Sequence, residues 1–337
     1  MKTEEVVIQF SEMMISRMEE MKESKWQKPW FTKTYGVMPT NLGGREYNGM
    51  NSFFLFLCMN KHGYKYPLFA TFKQISEQGG SVLKGEKSFP VLFWKLQYKD
   101  QKGEKISEEV YDLMSSAEQR LCEVKPTLKH YNVFNVDQTN LEKEAPEYVE
   151  KMKMKVGIKE DVEMPTDTIG MYENAKIDTM LLEQTWQCPI VFDKFSNSAY
   201  YSVTKDQITV PLKSQFKKGE TEEEVYLSGQ QYYSTLLHEI VHSTGYISRL
   251  NRFEKSKGKD GYGREELVAE MGAALIGNLL GFSTKILDTS AVYLDAWIKI
   301  LRKQPTFLVS VLADVNKAAK MILEEIDKGS LQKLKVS

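Results

Sequence analysis

The stretch Leu236-Leu237-His238-Glu239-Ile240-Val241-His242 places an HExxH pentad inside an apolar run of helical length. Residues four apart lie on one face of an α-helix, so His238 and His242 are predicted to bind one metal ion together. Glu239 follows the first of these ligands, where it is expected to act as general base on a metal-bound water. The chain has only four histidines, and two of them fall in this pentad. We therefore predict a metal site.

Composition narrows the class of protein. With 337 residues, 42% of them hydrophobic and 27% charged, the chain is typical of a globular protein with two domains. No apolar run is long enough to cross a membrane, and the N-terminus lacks the apolar core of an export signal. Cys58, Cys122 and Cys188 are isolated thiols without CxxC spacing, which argues against a disulfide framework and favours the cytoplasm.

The charge is distributed unevenly along the chain. Residues 22–105 contain fourteen Lys or Arg against six Asp or Glu, whereas the remainder has thirty-one basic against forty acidic residues. A basic segment joined to an acidic one is expected where one part of a protein meets a polyanion. A solvated, lysine-rich surface is the alternative explanation.

Periodicity and turn residues predict a chain rich in helices. Helices are expected at 1–24, 52–60, 72–78, 166–186 (capped by Thr166 or Asp167), 221–244, 265–280, 290–302 and 306–326. Strands are expected at 90–98, 131–136, 190–195, 199–203 and 207–211, the last three as an antiparallel meander beside the metal helix. Within the helix at 52–60, Phe53, Phe54, Phe56 and Leu57 are expected to lie in the core.

These elements predict an α+β protein of two domains. Residues 1–140 are expected to form a small α+β domain, residues 141–165 a linker, and residues 166–337 a mainly helical domain with a short antiparallel sheet. Residues 100–128 are highly charged, and we interpret them as an insertion.

A catalytic zinc needs a third protein ligand beside two imidazoles. The remaining histidines, His62 and His130, lie far upstream, so a carboxylate is expected. We assign Glu266 as this ligand and Glu270, four residues on, as the group that holds the proton on a ligand imidazole. Resemblance to gluzincin-type peptidases supports this order. Glu265 and Glu270 remain alternative ligands.

Two tyrosines are candidates for contact with substrate. Tyr262, among glycines, is able to donate a hydrogen bond to an oxyanion, and Tyr201 lies on a strand able to pair with an extended peptide. Packing is the alternative role for both side chains. This arrangement predicts metal-assisted hydrolysis, with a peptide bond as the expected target.

Between residues 25 and 95, cations alternate with aromatic residues, a pattern typical of proteins that bind single-stranded nucleic acid. No motif for sequence-specific recognition of duplex DNA is present. Core packing of the aromatic side chains is the alternative explanation. The predicted DNA-binding residues are Lys28, Trp30, Asn41, Arg45, Tyr47, Asn51, Lys73, Gln74, Lys84 and Lys87.

Several of these motifs resemble one known family. Lys28-Pro29-Trp30, the stretch from Gly44 to Asn51, Thr71-Phe72-Lys73-Gln74 and Val133-Phe134-Asn135 resemble the N-terminal domain of ArdC-type antirestriction proteins, to which plasmid primases of the TraC kind are related. The stretch from His238 to Gly245, with that from Glu265 to Glu270, resembles the family's zincin-type metallopeptidase domain.

The likeness is not complete. Gly43-Gly44 stands where Thr-Gly is usual in the family, and Phe69 stands where the family tends to have Trp. The second departure puts one base-stacking contact in doubt. The charged segment 102–125 matches no motif of the family.

The resemblance implies a protein of mobile genetic elements that helps incoming DNA escape host restriction. It implies single-stranded DNA as a partner of the N-terminal domain and a metal centre in the C-terminal domain. Zinc is the expected ion, with manganese or another divalent ion as the alternative. A restriction or DNA-processing protein is the expected peptidase substrate, and no membrane partner is expected. Two alternatives stay open: a strand-binding protein with a structural metal, and a replication accessory protein.

Overall fold

The fold is given by a computed structural model of the chain. The structure describes residues 3–24, 36–156, 170–253, 261–282 and 294–333. Helices and strands are both abundant, in agreement with the predicted α+β class. No helix of these residues has the length and apolar character that a membrane span requires.

The N-terminal part is built on a five-stranded sheet in the order β1-β2-β5-β3-β4. Its strands are β1 (Thr40–Asn41), β2 (Leu68–Ala70), β3 (Phe89–Lys99), β4 (Lys105–Ile106) and β5 (Glu123–Asn135). β1 and β2 are parallel, and the other neighbouring strands are antiparallel.

The segment predicted as a charged insertion is mostly the end of a long β-ribbon. β5 begins at Glu123, and it pairs with β3 in one register from Phe89↔Val133 to Lys99↔Glu123. The tip carries β4 and two short helices, α4 (Glu108–Asp112) and α5 (Ser116–Gln119). The expectation that strand structure begins only at 131 was therefore wrong. The polar residues Lys125, Thr127, Lys129 and His130, together with Pro126, leave this part of β5 without a regular apolar alternation, which hides its strand character from hydropathy patterns.

Three helices pack beside the sheet: α1 (Thr3–Glu23), α2 (Met50–His62) and α3 (Phe72–Glu77). The predicted core residues of α2, Phe53, Phe54, Phe56 and Leu57, are all buried. α3 begins with a capping box between Thr71 and Gln74, and Gly79 ends the turn that follows it with a positive φ of 73°.

Residues 141–156 of the predicted linker form two helices, α6 (Leu141–Glu144) and α7 (Pro146–Val156). Leu141, Val149 and Met152 join Leu68 and Ile75 in a small hydrophobic core on the N-terminal sheet. The rest of the predicted linker, with Thr166 and Asp167, lies outside the described residues. The helix expected there is shorter than predicted: α8 spans Ala175–Glu183 and is capped by the Asn174 side chain.

The second sheet differs from the predicted meander. Its strands are β6 (Ile190–Val191), β7 (Tyr200–Ser202) and β8 (Gln207–Thr209), in the order β6-β8-β7. β7 and β8 form the expected antiparallel pair, but β6 joins the far side of β8 as a parallel neighbour. Turn residues between successive strands suggest adjacent pairing, whereas the order in a sheet depends on contacts that are not local.

The remaining helices are α9 (Glu222–Ser243), α10 (Gly261–Leu279), α11 (Leu294–Lys303) and α12 (Phe307–Lys333). A capping box between Thr221 and Glu224 begins α9, close to its predicted start. α9 and α10 lie very close together where Gly272 faces Val241. A Cβ added at Gly272 would stand only 2.9 Å from Cγ2 of Val241. This contact brings the HExxH helix and the glutamate-bearing helix side by side.

One hydrophobic core joins the two parts of the chain. Its buried members run from Val6 in α1 to Ile326 in α12. The Ser11 hydroxyl donates to the carbonyl of Pro305, and the Asn316 amide donates to the carbonyl of Gly49. The N-terminal helices therefore pack directly on the helices that support the HExxH pentad.

Candidate metal centre

The two histidines of the pentad face each other on α9. Their Nε2 atoms are 3.0 Å apart, and their rings meet nearly edge to face at 4.7 Å. His238 is buried, whereas His242 is partly exposed. The two rings approach each other because residues four apart lie on the same face of a helix.

Glu266 of α10 completes a cluster of three donors. Its carboxylate lies 3.5 Å from the Nε2 atom of His238 and 3.5 Å from that of His242. One donor atom from each of the three residues falls within a span of 4.8 Å. The three side chains predicted as ligands therefore converge on one point.

Glu270 faces the other nitrogen of His238. Its Oε1 lies 3.4 Å from Nδ1 of that imidazole, and the carboxylate is buried. A carboxylate at this position favours the tautomer that carries its proton on Nδ1, and so leaves the Nε2 lone pair free to bind a metal ion. Glu270 thus lies behind the imidazole of His238, on the side away from Glu266.

Glu265 plays the same part for His242, which the sequence analysis did not foresee. Its Oε1 lies 3.3 Å from Nδ1 of that imidazole. Both oxygens of Glu265 accept hydrogen bonds from Arg252, at 2.9 Å from Nε and 2.6 Å from Nη2. Adjacent positions on a helix point about 100° apart, which separates Glu265 from the point where Glu266 meets the histidines.

Arg252, which the sequence did not single out, is a buried residue that contacts this cluster. It is 0% exposed, and it also donates to the Thr244 hydroxyl and to the Val241 carbonyl, each at 2.8 Å. It therefore ties the turn after α9 to the first turn of α10. The only local signal was an arginine shortly after the pentad, a weak one in a chain so rich in cations.

Neighbouring groups in this cluster shift the pKa values of His238 and Glu265. Burial opposes protonation of His238, but Glu266 and Glu270 outweigh it and raise the pKa of this imidazole well above its usual range. Burial likewise opposes ionisation of Glu265, yet the hydrogen bonds from Arg252 and His242 lower the pKa of its carboxyl. The acidic residues around the two imidazoles favour a positive charge at this point.

These residues fit a divalent cation. Two imidazoles and one carboxylate are the protein ligands of catalytic zinc sites, which keep one position open. Carboxylates at both Nδ1 atoms orient the imidazoles for such a role. His238, His242 and Glu266 are the residues that would hold the ion.

Comparison with known proteins agrees with this geometry. A family model described as the N-terminal domain of anti-restriction factor ArdC matches residues 4–134. A second, described as a zincin-like metallopeptidase, matches residues 181–313, which include all three candidate ligands. The chain thus carries the N-terminal domain of the ArdC type followed by a zincin-like domain.

Solved structures of the ArdC antirestriction protein of plasmid R388 have the same fold. The metal-free form superimposes with a TM-score of 0.65 at 26% identity, covering 95% of this chain and 98% of that one. The Mn(II)-bound form gives 0.62 at 26% identity, covering 94% and 97%. The zincin-like domain and this manganese-bound relative support a divalent metal for this chain.

Curated relatives include longer proteins. Two Escherichia coli proteins named DNA primase TraC are 28% identical over 302 and 303 residues, which is 88% of this chain. The chain spans only 18% and 25% of their lengths. A Sinorhizobium fredii protein, y4eC, is 23% identical over 301 residues, 88% of this chain and 84% of its own length.

The remaining predicted site residues are Glu239, Tyr201 and Tyr262. Glu239 is buried on α9, directly after the first histidine. The Tyr201 hydroxyl donates to Asp206 at 2.6 Å and accepts from Arg249 at 3.1 Å, so it already has two partners within the protein. The side chain of Tyr262 lies outside the described residues.

The predicted DNA-binding residues fall into three groups. Lys28 and Trp30 lie outside the described residues. The cations Arg45, Lys73, Lys84 and Lys87 are exposed. Each of the remaining four, Asn41, Tyr47, Asn51 and Gln74, has a role within the fold.

Three of these four make hydrogen bonds to the protein itself. The carboxamide oxygen of Asn41 accepts from the backbone of Gly43 and Arg45, and Gln74 forms the capping box of α3. Asn51 pairs with both backbone groups of Leu92, at 2.7 and 2.8 Å. Tyr47 is buried, with its ring against Phe69, where the family tends to have Trp.

Proposed function

We propose that this chain is an antirestriction protein that binds single-stranded DNA and carries a zinc-dependent peptidase centre. The observation that carries the peptidase proposal is the convergence of His238, His242 and Glu266, with a buried carboxylate behind each imidazole. In this proposal, residues 1–140 bind DNA, 141–165 connect the two parts and 166–337 hold the metal centre. The protein acts in the cytoplasm.

The side chains around the centre divide the chemistry. A bound zinc ion polarises a substrate carbonyl and makes water more acidic. Glu239 accepts the proton of the attacking water and passes it to the leaving amine. Glu265 and Glu270 keep the imidazoles oriented, and Arg252 keeps Glu265 ionised and in place.

Tethering explains why both activities would occur in one chain. A peptidase joined to a strand-binding domain reaches a high local concentration at proteins on the same DNA. The substrate proposed here is a restriction or DNA-processing protein found on incoming DNA. The exposed cations Arg45, Lys73, Lys84 and Lys87 support contact with the phosphates of that DNA.

The decisive experiment replaces the general base and leaves the ligands intact. Glu239→Gln is expected to lower peptide hydrolysis by 100-fold or more, of the order known for proton-transfer catalysis of about 10²–10⁴-fold. Zinc content and affinity for a single-stranded oligonucleotide are expected to stay at wild-type values. Protection of transferred DNA from restriction is measured in parallel with both proteins.

Full protection by the Glu239→Gln variant would show that hydrolysis is not the protective activity. That outcome would favour the alternative function, a strand-binding protein whose metal stabilises the fold. One observation favours this alternative: the ligand-bearing helices α9 and α10 are also joined through the buried Arg252, so the centre lies within the structural core. Chelation would then lower the melting temperature without changing any proteolytic product.

A further inference from the structure

The β3–β5 ribbon sorts its side chains into two faces. The two strands are antiparallel over eleven residue pairs without interruption, from Phe89↔Val133 to Lys99↔Glu123. Side chains alternate between faces along each strand, and directly paired residues share a face. The ribbon is about 35 Å long at a rise of about 3.4 Å per residue.

One face combines lysines with aromatic rings, and we call it the lysine face. Its outer members are Phe93, Lys95 and Gln97 of β3 and Lys125, Thr127, Lys129 and Tyr131 of β5. All three lysines are exposed. Phe93 and Tyr131 are 39% and 36% exposed, and their rings meet at 5.6 Å in an edge-to-face pair.

Acidic residues are scarce on this face of the two strands. Glu123 lies at its far end, where it is paired with Lys99 at 3.1 Å. The lysines nearer to the rings thus keep a net positive charge. The lysine face is a strip of cations that ends in two aromatic rings.

The rings at the base of the strip also line a cleft. This cleft has a volume of about 440 Å³ and lies between the ribbon, the loop before α2 and α12. Its wall includes Phe93, Tyr131, Arg45, Glu46 and Asn48, together with Val309 and Ala313 of α12. Its volume is within the range of about 300–1,000 Å³ that is usual for ligand pockets.

We propose that single-stranded DNA binds along the lysine face, with a base in the cleft beside Phe93 and Tyr131. Lysines spaced along a strand follow a phosphate backbone, while exposed rings stack on unpaired bases. A duplex keeps its base faces stacked and would leave the rings without a partner. This inference rests on the proposed function. It also gives a role to Lys125 and Thr127, which lie in the segment 100–128 that was interpreted as an insertion.

The test uses the full-length protein and a fluorescent oligothymidylate, with anisotropy measured over a series of salt concentrations. The variant K95A/K125A/K129A is expected to bind more weakly and to lower the slope of log K against log salt by about 2, since each single-strand phosphate contact contributes about 0.7. The matched control, K151A/K217A/K218A, removes three exposed lysines on other elements and is expected to keep the wild-type slope.

A second variant tests the rings. Phe93→Ala with Tyr131→Ala is expected to weaken binding by about fivefold or more, with the salt slope unchanged, because stacking is not ionic. Circular dichroism and the melting temperature check that this variant folds, and the lysine variant gives an answer if it does not.

The outcomes separate two failures. If the wild type does not bind single strands, the proposed DNA-binding function fails. If the wild type binds single strands, and K95A/K125A/K129A binds them with the same affinity and the same salt slope, the lysine face is not the binding surface. A wild type that prefers duplex DNA, with the lysine variant losing that binding, would overturn the single-strand assignment.

Discussion

At the scale of single residues, three glutamates on one helix have three different positions. Glu266 faces the Nε2 atoms of both histidines, whereas Glu265 and Glu270 each face one Nδ1 atom. Each imidazole is therefore held from behind by a buried carboxylate. Glu265 is in turn held by Arg252, an arginine that is fully buried.

The hydrogen bonds between Arg252 and Glu265 lead to a prediction for Arg252. Arg252→Gln removes the partner of Glu265 and is expected to weaken zinc affinity by about 10–100-fold, the range usual for groups that orient metal ligands. Competition with a chromogenic chelator measures the affinity. Arg302→Gln, at an exposed ion pair with Glu19, is the control and is expected to bind zinc like the wild type.

Glu265→Gln keeps the shape of the side chain and serves if Arg252→Gln does not fold. A folded Arg252→Gln protein with wild-type zinc affinity would contradict this prediction.

A second prediction concerns Asp206, which joins the turn before β8 to Arg249. Burial raises the pKa of Asp206, but hydrogen bonds from Arg249 and Tyr201 outweigh it and lower the pKa below its usual value. The stabilisation is therefore fully present above the unfolded pKa of about 3.9 and is lost as the pH falls through the lower folded value.

The measurement compares wild type with Asp206→Asn by urea unfolding of metal-free protein at several pH values. The variant is expected to be less stable by about 2 kcal/mol at neutral pH, as for a hydrogen bond to a charged group. The difference should shrink as the pH falls below about 4. If the difference in free energy of unfolding stays constant down to the lowest pH, the charge of the Asp206 carboxylate is not its cause.

At the scale of secondary-structure elements, the metal centre depends on how closely α9 and α10 approach. Gly272 of α10 lies against Val241 of α9, one residue before His242. At the start of α10, Arg264 donates to Asp314 of α12 at 2.6 Å. The glutamate-bearing helix is thus fixed on two sides.

Gly272→Ala tests this close approach. Alanine is the better helix former by about 1 kcal/mol, yet its Cβ would meet the stiff, buried side chain of Val241. We expect a lower melting temperature and weaker zinc binding. The double variant with Val241→Ala makes room for the new methyl group and should be less destabilised than the two single changes added together. Strict additivity would contradict the steric explanation.

At the scale of the whole molecule, the two sequence domains share one hydrophobic core. α1 contributes Phe10, whose ring stacks on Phe54 of α2. Hydrogen bonds and ion pairs also join the two parts, among them Lys22 with Asp295 and Arg302 with Glu19. We therefore expect the two parts to unfold together.

Phe10→Ala tests this cooperativity from the N-terminal side. It should cost about 3–5 kcal/mol, as is usual for a buried phenylalanine. The expected result is one unfolding transition at a lower temperature, with zinc release at that same temperature. Zinc release at the wild-type temperature, after a separate early transition, would show that the two parts unfold independently.

Local patterns predicted much of this protein. The four-residue spacing of His238 and His242, the start of α9 near residue 221 and the buried face of α2 are short-range features, because a helix is defined by contacts within one or two turns. The pairing of Glu266 with Glu270 follows from the same periodicity. By itself, therefore, the sequence determined the α+β class and long helices such as α1, α2 and α9, and it indicated the candidate ligands.

The tertiary structure alone decided the rest. Glu265 meets Arg252, β6 pairs with β8, and Lys95 shares a face with Lys125 and Lys129. Each of these relations joins residues whose spacing follows no helical or strand period. Such contacts are set by how whole elements pack, so they become visible only when the chain is folded.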